Sequence, residues 1–127
     1  MTTLSVDNSA GTAKDIRNDV TNWQLSTPRA VQDVTGVDKS AMERILLLAD
    51  VSLTLSGVFN AATDKSHDVL KTVPSTSVNR TVSLGVNGVS LAPEMLFTDY
   101  QLTRSDSGEL TWSGPAVLAD GTVPTWA

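Results

Sequence analysis

The sequence predicts a mainly β protein, a β-sandwich or small barrel with one or two short α-helices. Three observations carry this. Val51, Leu53 and Leu55 alternate with Ser52, Thr54 and Ser56, the period-two pattern of a strand with one apolar and one polar face. Val82, Leu84 and Val86 repeat that pattern and run into Asn87-Gly88, the strongest two-residue hairpin signal in the chain. Leu110 and Trp112 alternate again within Glu109–Leu118, after the turn signal Ser105-Asp-Ser-Gly108.

Taken in order, Leu4 and Val6 alternate with Ser5 and Asp7, giving a short first strand that ends at Asn8–Gly11. Ile16, Val20 and Trp23 follow Thr12 at helical spacing, so one or two turns of helix are expected, or else a turn into a strand over Val20–Leu25. Pro28 breaks the pattern, and Arg29–Thr35 reads as a weak strand closed by Gly36. Met42, Ile45, Leu46 and Ala49 recur at intervals of three and four, and Ser40-Ala-Met-Glu43 has capping-box spacing. A short helix over Ser40–Leu48 is therefore expected to lead into the central strand, which Gly57 interrupts before Val58-Phe59.

A second short helix is expected over Asp64–Lys71, with Asp64 in its first turn and Lys71 in its last, ended by Pro74. Beyond the Asn87-Gly88 hairpin, Val89–Leu91 meets Pro93, which implies an edge position or a break. Met95–Arg104 is the longest strand candidate, with Leu96, Thr98, Tyr100 and Leu102 on one face. Gly114-Pro115 suggests a bulge in the last long strand. After Asp120-Gly121, Val123-Pro-Thr-Trp126 reads as an extended arm.

The totals bound what such a fold can do. A chain of 127 residues fits one domain, with an N-terminal arm over about 1–8 and a C-terminal arm over about 122–127. Without cysteine, neither a disulfide nor a thiolate metal site supports the fold. A net charge of −5 argues against a surface that holds nucleic acid or anionic membrane. The N-terminus has neither the basic patch nor the apolar stretch of a secretion signal, and no apolar run approaches a membrane span, so no membrane contact is expected.

Nothing in the sequence supports catalysis. His67 is the only histidine, flanked by Asp64 and Asp68, and on a short helix it is expected to be solvated. A metal needs three or four converging ligands, which one histidine and no cysteine do not supply, so no metal, cofactor or catalytic residue is expected. Trp112 and Trp23 are expected in the core. Trp126, the penultimate residue, is expected to dock on its own body or on a neighbouring subunit.

The polar strand faces say more. Ser52, Thr54, Ser56, Thr81, Ser83, Thr111 and Ser113 form rows of small hydroxyls, and the only basic residues in the main strands, Arg80 and Arg104, lie at strand ends. A solvated face normally carries lysine and glutamate, which discourage edge pairing. An ordinary wet face and a surface lining an enclosed space are both open on this pattern.

Gly36-Val-Asp-Lys-Ser-Ala-Met-Glu-Arg44 leading into Leu48-Ala-Asp-Val-Ser-Leu-Thr-Leu-Ser-Gly-Val-Phe59 resembles the tail tube proteins of long-tailed bacteriophages. The likeness extends to Leu4–Ile16 and to Thr98–Thr103 through Val123–Trp126, and so covers nearly the whole chain. It implies a tail-tube-like sandwich with a flanking helix, in a non-enzymatic virion protein made in the host cytoplasm. Such subunits form six-membered rings that stack into the conduit carrying DNA into the host. The implied partners are further copies of the chain, the tape measure, tail tip and terminator proteins, and DNA in transient, non-specific passage. On this reading the lumen is lined by some of Asp50, Ser52, Thr54, Ser56, Thr81, Ser83, Asp99, Glu109, Thr111 and Asp120. Contacts between subunits are expected from Leu4, Val6, Met42, Ile45, Leu46, Leu47, Leu48, Val123 and Trp126. A sandwich-type binding module, such as a capsid decoration or adhesion domain, is the alternative.

Overall fold

The computed structural model describes residues 3–119 and 121–126. Eleven strands are present among them: β1 (Thr3–Asp7), β2 (Ala13–Asp15), β3 (Val20–Ser26), β4 (Arg29–Asp33), β5 (Arg44–Ala49), β6 (Ser52–Val58), β7 (Arg80–Val86), β8 (Val89–Leu91), β9 (Glu94–Phe97), β10 (Gln101–Arg104) and β11 (Leu110–Leu118). One short helix, α1 (Ser66–Leu70), and a 3-10 turn at Arg17–Asp19 complete the set. The mainly β expectation holds. The principal sheet runs β2-β1-β7-β9-β11-β6-β3, with β8 also on β7 and β10 also on β11; β4 and β5 pair only with each other. Among the described residues no ladder joins β2 to β3, so the sheet folds over as a sandwich and does not close into a barrel.

The alternation read from the sequence explains the core. Leu4 and Val6 of β1 and Val82 and Leu84 of β7 face Leu53 and Leu55 of β6 and Trp112 and Ala116 of β11, all buried. Val69 and Leu70 of α1 close one end of this layer, with Met95 of β9 between the halves. Each such side chain contributes about 1.5–3 kcal/mol by leaving water. The Trp112 indole N–H is not wasted, donating to the Val58 carbonyl at 2.9 Å.

Gly57 lies within β6 and does not interrupt it. The Asp19 backbone passes so close that a Cβ at position 57 would sit 1.7 Å from its carbonyl oxygen, and β3 shifts register against β6 there. Asn87 and Gly88 both have positive φ (49° and 88°), the two-residue hairpin turn expected between β7 and β8. Pro93 marks a break, with β8 ending at Leu91 and β9 starting at Glu94.

Several local expectations are corrected. Ser40–Leu48 is not helical, because residues 44–49 form β5 and pair with β4. Ile16–Trp23 resolves into the 3-10 turn and strand β3, not a helix. The second helix is shorter than expected and begins after Asp64, which adopts a left-handed φ of 62°. Met95–Arg104 divides into β9 and β10, and Leu96, beside exposed Val117, does not share a face with Leu102, beside buried Trp112. No bulge occurs at Gly114-Pro115, since β11 stays in register with β6 from Thr111 to Val117.

Two buried polar groups tie the layers together. Asp19, 5% exposed, accepts hydrogen bonds from the Ser66 amide (3.0 Å) and the Asn60 side chain (3.1 Å), fixing the start of α1. Arg80, 2% exposed, donates to the carbonyls of Asp7 (3.0 Å) and Val69 (2.8 Å) and to the Thr72 hydroxyl (3.0 Å). Burial pushes its guanidinium below the usual arginine value, and the Asp7 carboxylate opposes that shift. The sequence showed Arg80 only as a basic residue at a strand end, whereas it clamps β1, β7 and the end of α1.

Candidate assembly surfaces

The first surface is the outward face of four strands, β3, β6, β11 and β10. Strand pairing places Ser26 beside Ser52, Gln24 beside Thr54 and Pro115, and Asn22, Ser56, Ser113 and Gln101 in one continuous row. Thr103 and Thr111 make the next row. No paired residue on this face is ionisable. Among the described residues nothing pairs with the outer edge of β3 or of β10, so the ribbon has two free edges.

The expected lumen residues divide. Ser52, Thr54, Ser56 and Thr111 share this face. Thr81 and Ser83 do not: they lie on the outside of the other half of the sandwich, Ser83 opposite Ser5 and Thr81 opposite Glu94, whose carboxylate accepts the Thr81 hydroxyl. One face cannot present both groups. Asp50 and Glu109 are exposed at opposite ends of the β6–β11 ladder. Asp99 lies between β9 and β10, where its carboxylate accepts from the Tyr100 amide and the Gln101 side chain, both at 2.8 Å. Asp120 lies outside the described residues.

The second surface is the β4–β5 hairpin, which pairs only with itself among the described residues. All of β4 is exposed, as is all of β5 except the partly covered Ala49. Val31, Val34, Met42, Ile45, Leu46 and Leu47 are between 41% and 57% exposed, Leu48 93%, and Val37 projects completely. Its geometry comes from local polar contacts. Arg29 donates twice to the Leu47 carbonyl (3.0 and 2.8 Å) across a register shift that throws Leu48 outward. Nearer the tip, the Thr35 hydroxyl donates to Asp33 at 2.6 Å and accepts from the Glu43 amide at 2.7 Å. The Thr35 bonds hold the Asp33 carboxyl below its usual pKa.

Third come the chain ends. Val123 and Trp126 are 56% and 51% exposed. Val123 lines two adjoining clefts with Arg29 and Ala49, one of about 540 Å³ over Leu46–Leu48 and one of about 250 Å³ reaching Val51, Leu91 and Trp126. Leu4 and Val6 behave otherwise. Both are fully buried in β1, which pairs with β2 and β7, so their contacts are with their own core. Met1, Thr2 and Ala127 lie outside the described residues.

His67 has a different neighbour from the flanking aspartates. Its Nδ1 lies 3.1 Å from the Tyr100 hydroxyl and its ring 4.7 Å from that of Phe59. Burial pushes the Tyr100 phenol up. Asp68 instead pairs with Lys71 at 2.9 Å and accepts from the Asp64 amide, contacts that hold its pKa down.

No protein-family profile and no curated protein sequence matches this chain. Solved structures do. The tail of an empty gene transfer agent particle, determined with helical refinement and C6 symmetry, superposes with a TM-score of 0.73 over 98% of this chain and 94% of that one. The chain shares the fold of a gene transfer agent tail. A chain of the native gene transfer agent virion matches at a TM-score of 0.72, over 98% of this chain and 95% of its own. Identities of 17% and 16% make this a likeness of fold, a phage-like tail fold.

Proposed function

We propose that this chain is the structural subunit of a phage-type tail tube, forming six-membered rings that stack into a conduit for DNA. The observation that carries this reading is the four-stranded ribbon β10-β11-β6-β3, uncharged on its outward face and open at both edges, in a chain with a tail fold. Joining the β3 edge of one copy to the β10 edge of the next supplies the missing ladder bonds and removes both exposed edges. Six such ribbons make twenty-four strands. At about 4.8 Å per strand, the resulting barrel has a backbone radius of roughly 18 Å untilted and roughly 26 Å at a 45° tilt. That leaves a lumen wide enough for duplex DNA once side chains are added.

The polar face of the ribbon is the inner wall in this arrangement, because its other face is occupied by the core. Hydroxyls and amides, with Val58, Pro115 and Val117 among them and no lysine or arginine, offer phosphates no fixed counter-charge, so DNA slides and is not retained. Thr81 and Ser83 fall on the outside of the tube. The exposed hairpin residues Met42 and Ile45–Leu48, with Val123 and Trp126, are contacts between subunits, because a two-stranded hairpin is marginal in water without cover. The further partners this reading implies are tape measure, tail tip and terminator proteins. The protein works in the virion tail as a non-enzymatic part.

Negative-stain microscopy and sedimentation of the purified chain test this reading. Hollow tubes or six-fold rings are expected. A monomer at every concentration and ionic strength contradicts it and favours a sandwich binding module.

A further inference from the structure

We propose that the core of one subunit continues into the next in a single strand register, with Leu102 of one copy against Leu25 of its neighbour and Arg104 against Trp23. This rests on the tube reading above and adds to it a strand offset and a tilt. Leu102 lies beside Trp112, on the core side of β10, yet is 47% exposed. Trp23 and Leu25 lie beside Leu55 and Leu53, on the core side of β3, and are only half-buried against the core. The core is thus unfinished at both free edges of the ribbon, and a second copy is the partner that carries both margins.

Backbone hydrogen bonding restricts how the edges meet. The Asp50 amide bonds the Pro28 carbonyl, and the Val51 carbonyl accepts from the Leu118 amide, both at 3.0 Å. Along β6, polar-face residues therefore turn their backbone groups toward β3, and core-face residues toward β11. Carried across the ladders by alternation, this leaves the backbone groups of Trp23 and Leu25 free on one edge and those of Leu102 and Arg104 free on the other. Core-face residues must pair with core-face residues, so only even offsets keep the polar face continuous around a ring.

The same bonds fix the direction of the offset. For an L-residue with its side chain toward the viewer on a rising strand, the N–H and C=O point right. Seen from the core side with β6 rising, the ribbon therefore reads β3, β6, β11, β10 from left to right, and β3 descends toward Ser26. The core side is the outside of the tube, where the twist of the sheet makes barrel strands lean rightward as they rise. A row of paired residues then descends to the right. The row from Asn22 through Ser56 and Ser113 to Gln101 meets the next β3 below its Asn22, on the Ser26 side.

Tilt selects the size of the step. Offsets of two, four and six residues correspond to tilts of roughly 19°, 35° and 46°, against about 35–45° in barrels generally. Two is too shallow. Six sets Gln101 against Pro28, which lies beyond β3 and has no N–H. Four sets Gln101 against Ser26 and keeps all of β10 within β3, clear of the register shift between Val20 and Asn22. Leu102 then covers Leu25, and the Arg104 stem and guanidinium cover the Trp23 ring.

The chain has no cysteine, so introduced pairs report the register directly. Thr103 and Gln24 are exposed polar-face residues that this offset makes direct neighbours, with Cα atoms about 4.5 Å apart. Assembled Thr103→Cys/Gln24→Cys, mildly oxidised, is expected to give a non-reducing gel ladder in multiples of 13.4 kDa that ends at six copies. Thr103→Cys/Asn22→Cys, the neighbours at an offset of two, should link far more slowly. Faster linkage through Asn22→Cys, or linkage through neither in tubes that form normally, overturns the register alone. Leu102→Asp should raise the critical concentration at least about tenfold without lowering the melting temperature of the free subunit. An unchanged critical concentration overturns the shared core. Failure of the unsubstituted chain to form tubes removes the tube reading, and this register with it.

Discussion

Ser56 and Ser113 stand opposite each other at the centre of the β6–β11 ladder, with Asn22 and Gln101 extending their row to both free strands. Four neutral polar side chains thus cross the whole ribbon. A cation placed in this field is expected to hold phosphate where none was held before. Thr54→Lys, on the adjacent row, should leave tube formation and subunit stability within about 0.5 kcal/mol of the parent, since Thr54 is exposed. DNA delivery by particles carrying it should fall at least about tenfold. Normal delivery from particles with intact variant tubes would place this face elsewhere.

Trp126 is half exposed at the end of an arm, beside a cleft formed with Arg29 and Val51. Trp126→Ala should therefore cost the free subunit less than about 1 kcal/mol but weaken polymerisation by about 3 kcal/mol per subunit, the scale of losing a buried aromatic. Critical concentration and the melting temperature of the free subunit, measured side by side, decide it. A larger effect on melting than on assembly would make Trp126 part of its own core.

Arg80 has the reverse profile. Its three hydrogen bonds join β1, β7 and the end of α1, and its removal leaves buried acceptors unpaired. Arg80→Ala should destabilise the free subunit by about 3–5 kcal/mol in urea unfolding. Arg80→Lys should recover only part of that, because one ammonium cannot span the same three acceptors. A loss under 1 kcal/mol would remove the clamp from the account.

Acid should loosen the hairpin tip late. The folded-state pKa of Asp33 is depressed by its bonds from Thr35, so its contribution is fully present above the unfolded carboxylate value of about 3.9. It is lost as pH falls through the lower folded value. In assembled tubes the amide protection of Thr35 and Glu43, corrected for the intrinsic pH dependence of exchange, should hold down to about pH 4 and fall below it. Asp33→Asn should abolish that dependence; an unchanged acid profile in this variant would exonerate Asp33.

Most of the fold was legible where burial occurs within one chain. Val51–Ser56, Val82–Val86 and the Asn87-Gly88 turn follow their patterns because one face meets a core the chain builds for itself. The hairpin departs from its pattern for the converse reason. Met42, Ile45, Leu46 and Ala49 fit a helix by spacing, but Ile45–Leu48 are apolar on both faces of β5, so no period of two appears. Periodicity records which face is covered, and here the subunit covers neither. Leu96 and Leu102 fall on different faces because the chain breaks between β9 and β10, which alternation along one unbroken strand does not reveal. Leu4 and Val6 are core because β1 lies between β2, its hairpin partner, and β7, which is distant in sequence. The candidate lumen set split because alternation says which residues share a strand face, not which strand faces share a side of the molecule.

A helical reconstruction of assembled tubes by electron cryomicroscopy tests the central claim most directly. Six copies per ring are predicted, joined β3 to β10, with Ser56 and Ser113 facing the lumen and Thr81 and Ser83 outside. A tube in which Thr81 and Ser83 line the lumen, or in which the β3 edge stays unpaired, would contradict it.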